Sequence, residues 1–182
     1  MMAMYPDPPI PESYWVQPGQ LLAGAYPLLV GTAEPATRQR VRRFLAVGIT
    51  SFVDLTEAHE LVPYFPCLIA GVSEGTRPPV YQRLPIRNWD VPTPAMMRRI
   101  LDAIDTALAE GQNVYVHCAG GIGRTGTVVG CYLVRHGMPG EAALKEIMRL
   151  RQAMPNGGDL SPRREPQRQM VRTLAQRQLR AA

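Results

Sequence analysis

The sequence has no apolar run approaching the roughly 20 residues that span a membrane. Its first residues, Met1 to Pro11, lack the basic-then-apolar order of a secretory signal. A soluble, cytoplasmic protein is therefore expected, with no membrane partner. Cysteine is scarce: Cys67, Cys118 and Cys131 are too few and too scattered for a disulfide framework. No CxxC pair and no Cys/His cluster has zinc-ligand spacing, so neither a metal nor a cofactor is expected. No segment repeats. With 182 residues and 46% hydrophobic composition the chain can bury one substantial core. The expected organisation is a proline-rich extension over 1–14 and a single domain over 15–182.

Acidic residues are thin toward the end of the chain. From Lys145 onward there are nine Lys/Arg against three Asp/Glu, within a formal net charge of +5. The arginines are spread along helical segments with few interleaved aromatics, which reads as a solvated helix face and implies no nucleic-acid partner.

What is present gathers in Asn113 to Thr127, NVYVHCAGGIGRTGT. A short apolar run, Val114 to Val116, leads into His117, Cys118 and a glycine-rich loop, and an apolar helix follows. Backbone N–H groups and the positive end of a helix dipole converge there, an arrangement suited to phosphate.

The surrounding chain supports this placement. Trp15-Val16, Pro18-Gly19 and Leu21-Leu22 to Tyr26 read as a hairpin. Pro35 to Val47 reads as a helix ending at Gly48, and Ile49 to Leu55 as a buried strand. Thr56 to Pro79 has no clean periodicity. Tyr81 to Ile86 is a strand leading into the loop Arg87-Asn88-Trp89-Asp90-Val91-Pro92. Thr93 caps a helix whose apolar face is Met97, Ile100, Leu101, Ile104 and Leu108. Past the central loop come a helix through Leu133, a second from Pro139, and a third from near Ser161-Pro162 that buries Met170, Val171 and Leu174. The class is α/β, with a mainly parallel central sheet flanked by helices.

The Cys-x5-Arg spacing is what phosphate-ester cleavage by a thiolate needs. Loop amides from Ala119 to Gly123 bind phosphoryl oxygens, and the planar Arg124 fork takes two of them bidentately. The same donors favour Cys118 as thiolate. Attack gives a phosphocysteine that water hydrolyses. Thr125 is placed to hydrogen-bond the sulfur, and His117 to order the loop. Gly121 to Gly126 also matches GxGxxG, but the acidic residue due about 20 positions on would be Glu141, where no second strand ends. The Walker pattern fails, since no Lys precedes Ser/Thr in the loop.

His117 to Gly126 fits HCxxGxxR[ST]G at every fixed position, and on that motif the chain resembles the cysteine-dependent protein tyrosine and dual-specificity phosphatases, in particular their small bacterial-type members. Weaker similarity extends from about Trp15 to Thr173. The resemblance implies a dual-specificity-type fold, Cys118 as nucleophile, Arg124 and the loop amides on phosphate, and Thr125 assisting breakdown of the intermediate. Gln167 sits where some members position the hydrolytic water, the other reading being a solvated helix-face glutamine.

The family's general acid is an Asp about thirty residues before the cysteine, and Asn88 fills that position here. Asp90 is the nearest carboxylate and the expected acid. A loop that supplies none, or a donor such as Asp54 or Glu57, are the other readings, and a loop cap beside Val91 is the structural one for Asp90. Asp54, Glu57, His59 and Glu60 form a polar cluster after a strand, either site rim or solvated loop. Cys131 reads as a core residue, and Cys67 as a possible disulfide partner for an oxidised Cys118. The expected function is phosphomonoester hydrolysis on phosphoprotein, phosphotyrosine first, because Ala119, Gly121, Ile122 and Gly123 carry no Lys such as inositide-type relatives place there. The alternatives are a phosphate-binding module with weak turnover, because of Asn88, and more remotely thiol redox or sulfur transfer. Oligomeric state is not legible.

Overall fold

The structure is a computed structural model and describes residues 6–28, 34–72, 75 and 77–174. The start of the expected extension and the basic end after Leu174 lie outside the described residues.

Five strands form one sheet: β1 (Ser13–Gln17), β2 (Leu21–Gly24), β3 (Ser51–Asp54), β4 (Val80–Arg83) and β5 (Val114–His117), in the order β1-β2-β5-β3-β4. Only β1 is antiparallel, paired to β2 through the expected hairpin with Gly19 at φ 73°. β2, β3 and β4 run parallel to β5 or to one another. β1 begins at Ser13, and Ile10 and Tyr14 are buried, so the sheet and its core reach into the proline-rich stretch.

The period-2 alternation of strand side chains separates two cores. From β5, Val114 and Val116 enter one cluster and Tyr115 the other. Val53 and Phe52 of β3 divide in the same way. The first cluster is covered by α3 (Pro94–Ala109), α4 (Gly123–Arg135), α5 (Gly140–Leu150) and α6 (Glu165–Thr173). The second lies under α1 (Glu34–Ala46) and α2 (Phe65–Ala70). β5 is covered on both faces, as parallel strands require, and is buried at all four positions.

Thr93 caps α3 as its sequence implies, its hydroxyl accepting from the Met96 amide at 3.2 Å. Two elements differ from expectation. The unreadable stretch contains the six-residue α2, too short to display a helical period. The last helix begins at Glu165 rather than near Ser161-Pro162, because Ser161 is drawn to the central loop, donating to the Ile122 carbonyl at 2.8 Å.

Candidate active site

The loop after β5 lies at the carboxyl end of the parallel strands, where open α/β sheets place ligands. It passes from Cys118 to the start of α4 at Gly123. No side chain caps that helix N-terminus, which leaves its first amides available to an anion. Two glycines make the path possible. Gly121 has φ 68°, and a Cβ there would stand 2.5 Å from the Gly24 carbonyl carbon. At Gly126 a Cβ would stand 2.3 Å from Ser161 Oγ. The loop is therefore pressed between the end of β2 and the segment before α6. Gly121→Ala should lower stability by about 2 to 4 kcal/mol, from the left-handed backbone plus the clash, read as a drop in the urea midpoint. An unchanged midpoint would show that the loop can yield.

Cys118 is 3% exposed and lies in a cavity of about 200 Å³ lined by Ala119, Gly120, Ile122, Gly123, Arg124, Asn88, Trp89, Arg163 and Gln167. Arg124 has five N–H donors, and the structure shows how they are divided. Nη1 and Nη2 meet Glu60 end-on at 2.7 and 2.5 Å, and Nη1 also reaches the Ile86 carbonyl at 3.1 Å. Arg124 also lines the cavity with Cys118, and interaction with that sulfur favours its charge. Burial works against the Arg124 charge, but Glu60 and Cys118 more than offset it and the guanidinium is held above its ordinary range. In return the Arg124 bond draws the Glu60 carboxyl below its ordinary range. Glu60, left open in the sequence between rim and solvated loop, is thus the residue that fixes the arginine. Glu60→Gln should raise KM for a phosphate ester by about tenfold through loss of a charge-assisted pair that orients a ligand group, with a smaller effect on overall stability. A KM within twofold of wild type would argue against it.

His117 is fully buried among the rings of Tyr26, Tyr64 and Tyr115, with centroids 5.2 to 5.4 Å away. Burial first, then the charge of Asp54, keeps the Tyr64 phenol protonated, and its hydroxyl shares a hydrogen bond with His117 Nε2 across 2.6 Å. Nδ1 has no hydrogen-bond partner, and Asp54 Oδ1 lies 3.9 Å from it. Burial pushes the imidazole from 6.5 down to about 4, against the pull of Asp54. The ring is therefore neutral at neutral pH and lines no part of the cavity. Its protonation has a sign that can be measured. Between pH 6.5 and 4 the unfolded chain takes a proton that the folded chain refuses, so stability is complete above 6.5 and falls by about 3 kcal/mol on acidification. The melting temperature should drop across that window, and a flat profile would contradict a neutral buried His117.

Asp54 is fully buried rather than at the cavity. Burial alone would raise its carboxyl, but His117 and hydrogen bonds from Thr56 and Tyr81 bring it below the ordinary range. Tyr81 donates at 2.7 Å and the Thr56 hydroxyl at 2.7 Å. Glu57 accepts the Asn88 amide at 3.3 Å, tying two loops together, and His59 is exposed.

The loop expected to carry the acid presents Asn88 and Trp89 to the cavity, with Trp89 at φ 65°. Asp90 is exposed, its carboxylate accepting the Val91 amide at 2.8 Å in the loop-capping role. Its carbonyl accepts from Gln167 Nε2 at 3.2 Å. Gln167 is 2% exposed, no solvated face residue, and its carboxamide stands beside Gly123. The Thr125 hydroxyl donates to the Gly24 carbonyl at 3.2 Å. Cys131 is buried, its thiol pushed up to about 12 by burial. Cys67 packs on the second core cluster, whereas Cys118 belongs to the first.

A parallel sheet that delivers a cysteine into a glycine-lined anion cradle, faced by an arginine, defines the cysteine-centred phosphatase class. Residues 11–179 match the family described as PTP-SAK, Swiss Army Knife protein, DSP-PTPase phosphatase domain, and the chain belongs to that family. Over 49 residues it is 47% identical to the human dual specificity protein phosphatase CDC14C, a match covering 27% of this chain and 10% of that protein. The chain thus spans only a small part of the length of that relative. Among solved structures, the active form of Tk-PTP aligns with a TM-score of 0.69 at 21% identity, over 92% of this chain and 97% of the other. PTPMT1 in complex with PI(5)P gives 0.65 at 22%, over 88% and 92%. TpbA of P. aeruginosa in complex with pTyr gives 0.62 at 20%, over 92% and 87%. The chain therefore holds a dual-specificity-phosphatase-like domain. Among the described residues no helix is long and apolar enough to cross a membrane.

Proposed function

We propose that the protein hydrolyses phosphomonoesters of phosphorylated proteins through a phosphocysteine at Cys118. The observation that carries this reading is the setting of Arg124: Glu60 holds its two terminal nitrogens end-on, and the arginine still lines the cavity that contains Cys118, where a phosphoryl group would sit. The loop amides from Ala119 to Gly123 take the remaining oxygens. The sulfur lone pair forms the S–P bond as the P–O bond breaks, and water then displaces the thiolate from phosphorus. Gln167, which lines the cavity, would orient that water with the Nε2 hydrogen not given to the Asp90 carbonyl. Thr125 would assist the second step by turning its hydroxyl from the Gly24 carbonyl to the departing sulfur.

A phosphoprotein substrate is supported by the family and by the mouth of the cavity, where Arg163 and Arg164 flank the exposed Trp89 with guanidinium carbons 6.0 and 5.9 Å from its ring. The loop itself carries no Lys that would suit a polyphosphorylated lipid. The family match gives no support to the alternative of a phosphate-binding module with weak turnover. The test is rapid acid quench during turnover of a phosphotyrosine peptide, followed by peptide mapping. One phosphoryl group on the Cys118 peptide is expected. Turnover with no labelled cysteine at any mixing time would sink the reading.

A further inference from the structure

Among the described residues that line the cavity, none is Asp, Glu or His. The acids of the neighbouring loops and the buried imidazole have contacts of their own. Glu60 is paired end-on with Arg124. Glu57 accepts the Asn88 amide, and Asp90 accepts the Val91 amide. Asp54 lies fully buried under Tyr81 and Thr56, and His117 is enclosed by tyrosines. The residues that the Arg87–Pro92 loop does bring to the cavity are Asn88 and Trp89, and neither a carboxamide nor an indole can serve as a general acid. Gln167 holds that loop by the Asp90 carbonyl, and so fixes Asn88 and Trp89, rather than the Asp90 carboxylate, at the cavity wall.

We propose that this site cleaves phosphate esters without a general acid, and that it thereby selects aryl over alkyl phosphates, phosphotyrosine over phosphoserine and phosphothreonine, by leaving-group chemistry. This rests on the phosphatase reading above. In the first step the thiolate lone pair forms the S–P bond. The P–O bond breaks with its electron pair staying on the ester oxygen, which departs as an anion and takes its proton from solvent. A tyrosine oxygen can leave in this form, since a phenol ionises near pH 10. An alkoxide, far more basic, cannot do so at a useful rate. General acid assistance is worth about 10² to 10⁴ in rate, and that factor is withheld most from the poorest leaving groups. Selection then needs no deep pocket to exclude short side chains.

The experiment is a leaving-group series on the whole protein: substituted phenyl phosphates from nitrophenyl to unsubstituted phenyl, and an alkyl phosphate, read as kcat/KM against leaving-group pKa. A steep fall is expected, about 10²-fold or more from nitrophenyl to phenyl ester, with the alkyl ester slower still. Asn88→Asp should flatten the slope by raising the phenyl ester rate about 10²-fold, while changing the nitrophenyl rate only a few-fold. Turnover with a flat wild-type slope would overturn the proposal and leave the phosphatase reading standing. Absence of turnover with every ester would overturn both.

Discussion

Cys118→Ser is expected to lower kcat on an aryl phosphate by at least about 10⁴-fold while changing the affinity for a phosphotyrosine peptide by no more than a few-fold. The split follows from where the parts sit. Serine is the same size, so the cavity, the loop amides and the Arg124–Glu60 pair remain as they are. A hydroxyl, however, needs a base, and none lines the cavity among the described residues. The one imidazole nearby is bound to Tyr64 and buried behind the loop. Steady-state turnover gives the first quantity and calorimetric titration the second. A variant retaining a tenth of the wild-type rate would remove Cys118 from the chemistry, and loss of peptide binding would mean that the sulfur shapes the cradle.

Arg124→Lys is expected to lower kcat/KM by about 10³-fold despite conserving charge. The arginine serves two directions at once, end-on to Glu60 and toward the cavity it lines with Cys118. An ammonium on a flexible stem is a point charge and satisfies one of these at a time. Glu60, mostly buried at 16% side-chain exposure, would hold it away from the phosphoryl group. Loss of less than tenfold, measured on the same aryl phosphate, would show that the loop amides carry the phosphate without a planar fork. Inorganic phosphate as a competitive inhibitor supplies an independent reading, with a weakened inhibition constant expected in parallel.

Much of this molecule is legible before its structure is seen, where the signal is local. The hairpin shows in Pro18-Gly19 between apolar pairs, α3 in the spacing of Met97, Ile100, Leu101 and Ile104 after a Thr-Pro start, and the β5–loop–α4 unit in its ten-residue motif. The rest depends on pairings across distance. Glu60 and Arg124 are 64 positions apart, and nothing beside Glu60 marks it out from Glu57 or His59. Tyr64 meets His117 across 53 positions, from a stretch with no periodicity. From its charged helix alone Gln167 looks like a surface residue, and only the resemblance points it to the site; its burial follows from the packing of α6 against the loop. For Asp90 the difficulty is the turn of the loop: Asn88 and Trp89 line the cavity and Asp90 is exposed, with Trp89 at φ 65° between them, and composition does not show such a turn.

The contact between Gly24 and Gly121 also bears on how the site comes into being. β2 pairs residue for residue with β5, Leu21 against Val114 to Gly24 against His117, so the cradle waits for two segments more than ninety residues apart to meet. Ser161 and Gln167, beyond α5, then close it. Such non-local closure belongs to the slow, late part of folding. On the ribosome, a nascent chain long enough to expose Cys118 still lacks the residues that wall it in. Catalytic competence should accordingly arise only once α6 has been made and docked, and partly folded forms should carry a thiol without a phosphatase.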